Sequence, residues 1–234
     1  MGVVLLVAAE ARELRSLERR LTRVSRLPWR LDYAVTGEGI GGRWVLAANG
    51  PGPGLAREAV DTVFEHEEID VVVSTGYCGA LDERFSVGDI IVASRVKALE
   101  TGLEYTAVPP DTRGRFWLGE VASLDRVVGT VEEKRKLCAS GSMAVEMEAA
   151  AVADAASRRG VRFGCVRAVS DTAHEGFDLD LNAARGRDGR FRGGKVLLQV
   201  LKRPAAGVPE LWRLMRNSSK ATAALGEFLA NCRF

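Results

Sequence analysis

The amino-acid sequence predicts a three-layer α/β fold, a single domain over residues 1–234. Three observations carry that reading. Apolar, β-branched runs of strand length alternate with stretches whose apolar residues recur at helical spacing, as in a sheet covered on both faces. Breaks rich in Gly and Pro separate the two kinds of segment. The chain has no internal repeat and no clean linker, and 234 residues at 47% hydrophobic content suffice for one large core.

Residues 3–9 form a short apolar run, a buried first strand far too short to span a bilayer. Leu14, Leu17 and Leu21 recur at helical spacing, so residues 10–24 are expected as a helix. Residues 31–35 and 43–48 read as strands around a turn at 37–42. The break Gly50-Pro51-Gly52-Pro53-Gly54 precedes a helix with Ala56, Ala59, Val60 and Val63 on its inner face. Residues 69–74 are a β-branched strand, after which Gly76-Tyr77-Cys78-Gly79 is expected to turn the chain. Residues 89–96 are a further strand. The polar, Pro/Gly-rich stretch 100–115 is expected as a mobile loop over a site. Strand 118–123, helices 132–137 and 149–158, and strand 162–169 follow. Residues 175–193 read as irregular, and 196–201 and 211–229 as helices.

The formal net charge of +2 points to no polyanionic partner, and no nucleic acid is expected. The distribution says more. Arg12, Arg15, Arg19, Arg20, Arg23, Arg26 and Arg30 crowd one region, and Arg185, Arg187, Arg190, Arg192 and Lys195 another. A solvated basic face is the plainer reading, and attraction to an anionic substrate or lipid surface the sharper one. Leu211, Trp212, Leu214 and Met215, beside Arg213 and Arg216, suit a membrane interface, a helix packed on the core or a dimer contact. Peripheral membrane contact and a homo-oligomer, a dimer or larger, are therefore carried as expectations. Cys78, Cys138, Cys165 and Cys232 have neither metal nor redox spacing, and His66 and His174 lack partners for a zinc site or a catalytic triad. We expect reduced thiols, no metal and, with no secretion-type leader, a cytoplasmic protein.

Two acidic motifs stand out. Val145-Glu146-Met147-Glu148-Ala149-Ala150-Ala151 places two carboxylates and a Met where an apolar run gives way to an Ala-rich helix. Val169-Ser170-Asp171-Thr172-Ala173 places an Asp just beyond an apolar strand. Acidic groups at neighbouring strand ends lie where α/β proteins carry their sites. One carboxylate for sugar hydroxyls and one for a ring nitrogen would suit chemistry on a nucleoside.

These motifs, with Ser74-Thr75-Gly76-Tyr77-Cys78-Gly79-Ala80-Leu81, Val87-Gly88-Asp89-Ile90-Ile91-Val92 and Arg167-Ala168-Val169-Ser170-Asp171, resemble the nucleoside phosphorylase and nucleosidase superfamily over roughly the whole chain. Within it, Ser123-Leu124-Asp125-Arg126-Val127-Val128, Glu132-Glu133-Lys134 and Lys202-Arg203-Pro204 resemble bacterial hopanoid-associated phosphorylases. The resemblance implies a mixed, barrel-like central sheet flanked by helices. It also implies cleavage of the N-glycosidic bond of purine nucleosides, with phosphate or water as nucleophile and no cofactor. Its hopanoid-associated branch implies a very apolar substrate that lives in a membrane.

The resemblance assigns roles residue by residue. Glu148 matches the carboxylate that accepts hydrogen bonds from the ribose hydroxyls, a role that orients the ring and stabilises oxocarbenium character; a helix N-terminal Glu is the plain alternative. Met147 matches the Met packed on the sugar face, and core filling is its alternative. Asp171, after Ser170, matches the residue facing the purine N7, whose protonation helps a poor leaving group; Ser-Asp-Thr is also good capping chemistry. Asp there resembles adenine-handling members. Val127 and Val128 match the stretch that contacts the base, or are core residues.

Arg12 stands where nucleosidases carry the Glu that helps activate water and several phosphorylases carry a phosphate-binding Arg. A guanidinium grips an oxyanion and cannot act as a base. Glu10 and Glu13 lie close enough for a shifted register to restore a carboxylate. Gly76 and Tyr77 belong to the turn whose amides approach the nucleophile, although Tyr77 departs from the usual Ser and Ser74 stands where some phosphorylases have another Arg. The sequence thus favours cleavage of an adenine nucleoside with phosphate as co-substrate, held by Arg12, Gly76 and Tyr77. A hydrolytic nucleosidase of the methylthioadenosine/adenosylhomocysteine type and a catalytically silent binding protein are the alternatives.

Overall fold

A computed structural model describes residues 2–186 and 188–234; Arg187 of the second basic cluster lies outside the described residues. The chain opens with β1 (Gly2–Ala8) and α1 (Ala11–Glu18), then β2 (Thr22–Arg26), β3 (Tyr33–Gly39) and β4 (Gly42–Ala48). Helix α2 (Pro53–Phe64) leads to β5 (Val71–Ala80), β6 (Ile90–Ala98), β7 (Glu104–Thr106), β8 (Asp111–Thr112) and β9 (Trp117–Ser123). Next come α3 (Val131–Cys138), β10 (Ala144–Glu146), α4 (Ala149–Arg158) and β11 (Arg162–Asp171). The chain ends with α5 (Leu181–Ala184), α6 (Gly193–Lys202), α7 (Pro204–Ala230) and β12 (Cys232–Arg233).

The strands are apolar on both faces because each face meets a helical layer. In β1, Val4, Leu6 and Ala8 join Leu14 and Leu17 of α1 and Leu225 and Leu229 of α7 in one buried cluster. The intervening Leu5 and Val7 point the other way, to Val60 of α2 and Val152 of α4. The period of two along the strand thus builds a three-layer fold.

The sheet closes on itself through β5. Strand β5 runs parallel to β1 on one edge and to β11 on the other, and its far end pairs antiparallel with β10. Since β11 pairs β6, β6 pairs β9 and β9 pairs β10, five strands form a ring. The arm β1-β4-β3-β2 extends from it. This is the mixed, barrel-like sheet flanked by helices that the resemblance implied.

Several expected bounds shift. Helix α1 stops at Glu18, and Thr22–Arg26 becomes an edge strand paired with β3. All five of its residues are exposed, and its two Arg residues guard the open edge. The glycine-rich segment 76–79 does not end β5; it continues to Ala80, because β11 and β10 supply partners. Stretch 100–115 is no free loop: Glu104–Thr106 pairs β6, and Asp111–Thr112 pairs β12. Residues 175–193 include α5 and a bridge between Arg185 and Phe191. The seven arginines of the first basic cluster are all exposed, as a solvated face requires.

Leu225 is fully buried and anchors α7 on the sheet. Leu225→Ala is expected to lower unfolding free energy by about 2–5 kcal/mol, read by urea denaturation.

Candidate active site

The two acidic motifs converge on one cavity of about 210 Å³. Glu146, Met147 and Glu148 enter it where β10 meets α4, and Ser170 and Asp171 where β11 ends. Between them Tyr77, Cys78 and Gly79 of β5 form the floor, and Glu10, Arg12 and Glu13 close one side from the start of α1. None of residues 100–115 lines it, so that segment is not the lid the sequence suggested.

The centre of the site is a buried cation. Arg167 of β11 is 1% exposed and sits in the apolar middle of that strand, between Phe163 and Val169. Its Nη2 donates to Glu146 Oε2 and, at 2.6 Å, to Ser74 Oγ. Its Nη1 donates to the Thr75 carbonyl at 3.0 Å and lies 3.6 Å from Glu148 Oε2. Glu146 Oε2 also accepts the amides of Glu148 and Ala149, at 2.9 and 2.8 Å. One carboxylate therefore caps α4 and fixes the backbone of Glu148. The Glu148 side chain accepts the Gly52 amide at 2.8 Å. Burial drives Glu148 well above the usual carboxylate range, aided by the charge of Glu146 and opposed by Arg167.

Arg12 and Glu13 part company at the start of α1. The Arg12 side chain is 58% exposed and ion-paired with Glu10 at 2.6 Å, at the rim. Glu13 is buried, its Oε2 accepting the amides of Ala9 and Glu10 at 2.9 and 3.1 Å. Burial pushes Glu13 up to about 7; the Glu10 amide and Arg167 oppose the rise and the Glu10 charge adds to it. Gly76, at φ +132°, lets β5 pass beneath it: a Cβ there would stand 3.0 Å from both Glu13 Oε2 and Arg167 Nη1.

Asp171 is aimed by a bulge. The β11–β5 register slips between Val169 and Asp171, so Asp171 faces Gly79. A Cβ on Gly79 would come within 2.8 Å of Asp171 Oδ2. Ser170 Oγ donates to Oδ1 at 2.8 Å, and Lys134 Nζ donates to Oδ2 at 2.6 Å. Asp171 therefore does not cap a helix; Asp180 takes that role for α5.

Val127 and Val128 both line the cavity, Val128 as a buried residue. The Val127 backbone is held by the Asn182 side chain at 2.8 and 2.9 Å. Tyr77 points its hydroxyl to Thr222 Oγ1 of α7, at 2.5 Å, and burial raises it to about 12. Burial also raises the Cys78 thiol well above its usual range, consistent with packing. Among the described residues no group of three or more His, Cys, Asp or Glu side chains is arranged to hold a metal.

A family model described as the phosphorylase superfamily matches residues 3–112 and 111–202. The chain belongs to that superfamily. As a member it is an enzyme that cleaves nucleosides at the N-glycosidic bond. A Staphylococcus aureus 5′-methylthioadenosine/S-adenosylhomocysteine nucleosidase is 28% identical over 205 residues, covering 76% of this chain and 90% of its own. The Neisseria meningitidis 5′-methylthioadenosine/S-adenosylhomocysteine nucleosidase, solved with methylthio-immucillin-A, superposes with TM-score 0.74 at 21% identity, covering 99% of this chain and 98% of its own. The futalosine hydrolase of Helicobacter pylori superposes with TM-score 0.73 at 16% identity, covering 98% and 96%. At these identities the superpositions establish the fold.

Three members of the site escaped single-residue reading of the sequence: Arg167, Lys134 and the capping role of Glu146. A lone Arg inside the apolar strand 163–169 was the available signal, because a charge there must be paired. Arg167→Met leaves Glu146 and Glu148 buried beside no cation. It is expected to cost about 3–5 kcal/mol at pH 8. The loss should shrink as pH falls, since protonation of Glu148, which burial already raises, removes one stranded charge; thermal unfolding across pH 5–8 reads both effects.

Proposed function

We propose that this chain hydrolyses the N-glycosidic bond of an adenine nucleoside, with water as nucleophile. The observation that carries the proposal is Glu13: a buried carboxyl bordering the cavity, raised to about 7, one residue beyond the arginine that favoured phosphate. A carboxylate poised near neutrality can take a proton from water, which a guanidinium cannot. Arg12, exposed and engaged by Glu10, is the weaker basis for phosphorolysis, and Tyr77 spends its hydroxyl on Thr222. The nucleosidase and futalosine hydrolase likenesses favour the same alternative.

In this reading Glu148 accepts the ribose hydroxyls, and Met147 packs on the sugar. Asp171, supported by Ser170, gives a proton to N7 of the departing adenine between Val127 and Val128. Exchange with solvent returns that proton to Asp171 and discharges the one that Glu13 takes from water. As the bond lengthens, positive charge grows on the sugar beside Glu148, and water attacks with Glu13 removing its proton. Gly76 brings the β5 backbone to that water. The reaction needs no cofactor, and the four free thiols fit a cytoplasmic setting.

Glu13 must be ionised to act as the base. The rate should therefore rise with pH through about 7 and fall below it, and Glu13→Gln should abolish this limb while lowering turnover at least about a hundredfold. Adenine release from adenosine, 5′-methylthioadenosine and S-adenosylhomocysteine, followed from pH 5 to 9, tests this. A wild-type rate flat across that range would remove Glu13 as base.

The partner reading extends to the C-terminal helices. Leu197, Leu198, Leu201, Trp212 and Met215 are exposed beside Lys195, Lys202 and Arg216, while Leu214 faces the cavity. No helix among the described residues is long and apolar enough to cross a membrane. This face supports peripheral contact with an anionic membrane, with a contact between copies as the second reading. Co-sedimentation with anionic vesicles at low salt is expected; a protein that stays in the supernatant and elutes as an oligomer on size exclusion would favour the second.

A further inference from the structure

Lys134 is the one fully buried residue of α3, whose Glu132, Arg135 and Lys136 are exposed and whose Leu137 and Cys138 are only half-buried against the core. An apolar residue would fill that position at less desolvation cost, so packing alone does not explain a lysine there. All three donors of its ammonium are used: on Asp171 Oδ2 at 2.6 Å, the Thr172 carbonyl at 2.7 Å and the Glu175 carbonyl at 3.0 Å. The ammonium also lies 5.7 Å from the ring centroid of Phe177, which lines the cavity.

These contacts tie three things together. Asp171 has one oxygen on Lys134 and the other on Ser170, so its carboxyl group cannot swing away without breaking both bonds. The turn at 172–177 is closed by Thr172 donating to Glu175 Oε2 at 2.7 Å and by Phe177 donating to the Gly129 carbonyl at 2.9 Å. Lys134 clamps that turn from inside, through two of its carbonyls.

We propose that Lys134 is a positioning residue for cleavage: it fixes the Asp171 carboxyl and the Phe177-bearing turn at the base end of the cavity, so that the leaving purine meets a preset proton partner. The inference rests on the hydrolase reading only in giving Asp171 a role at the base. Lys134 touches no substrate and acts through Asp171.

A double-mutant cycle tests it, using Lys134→Met, Asp171→Asn and the double variant of the full chain. Adenine release is measured from whichever of adenosine, 5′-methylthioadenosine and S-adenosylhomocysteine the wild type cleaves best, and thermal unfolding is followed for each protein. Lys134→Met is expected to lower kcat at least about tenfold, part of the range of a positioned general acid, with KM changed less than about threefold. In the Asp171→Asn background the same change should cost less than about twofold, because the group it positions is gone. If Lys134→Met does not fold, Lys134→Gln, which keeps two donors, takes its place in the cycle. Costs that multiply in the double variant, or a kcat equal to wild type in Lys134→Met, would overturn the inference while leaving the hydrolase reading standing. A wild type that releases no adenine sinks that reading, and this inference with it.

Discussion

The buried pairing of Arg167 with Glu146 is the interaction on which the rest of the site depends. It adds a side-chain tie to three strands that already pair through their backbones: Arg167 belongs to β11, Glu146 to β10, and Ser74 and Thr75, which also receive the guanidinium, to β5. The oxygen of Glu146 that meets Arg167 also caps α4, so the position of Glu148 follows from the same contact. Taking two charges out of water costs several kcal/mol each, and the direct contact, with Ser74, Thr75 and two amides of α4 as further partners, offsets that cost even though Glu146 Oε1 and Arg167 Nε find no partner. Such a device does little for stability compared with a well-packed apolar core. What it supplies is a fixed position for acidic groups inside a sheet.

A second consequence is electrostatic. Glu13, Glu146 and Glu148 crowd one guanidinium, and a single positive charge cannot hold three buried carboxyl groups ionised. Glu13 and Glu148 are accordingly both raised, chiefly by burial. A carboxyl group near neutrality can be charged in one step of a reaction and neutral in the next, as base chemistry on water demands. At the other end of the cavity, Asp171 has its own cation in Lys134 and its own hydroxyl donor in Ser170. The two ends thus run on separate charge partners, which allows a sugar end and a base end to be set independently.

Much of this was legible in the sequence. The alternation of apolar strands with amphipathic helices gave the three-layer architecture, because unbroken apolar runs such as Val4 to Ala8 mark strands covered on both faces, and Ala56, Ala59, Val60 and Val63 recur at helical spacing. The acidic motifs around Glu148 and Asp171 located the cavity. What was hidden is non-local. Leu21 continues the heptad-like spacing of Leu14 and Leu17, yet pairing with β3 takes the chain into a strand at Thr22. The segment Gly76 to Gly79 looks like a turn until β10 and β11 are known to flank it. Between Arg12 and Glu13, spacing alone could not decide which side chain turns inward; a one-residue step around a helix separates rim from interior. Lys134 entered only as part of the run Glu132-Glu133-Lys134, and its burial follows only from where α3 docks.

The central claim is that water, activated by Glu13, is the nucleophile. The most direct measurement is the identity of the sugar product. The purified enzyme is incubated with its best adenine nucleoside in phosphate-free buffer and again in phosphate, and the sugar is identified by phosphorus-31 and proton NMR. The account predicts free sugar in both, released with adenine at the same rate. A sugar 1-phosphate formed in step with adenine, and no turnover without phosphate, would contradict it.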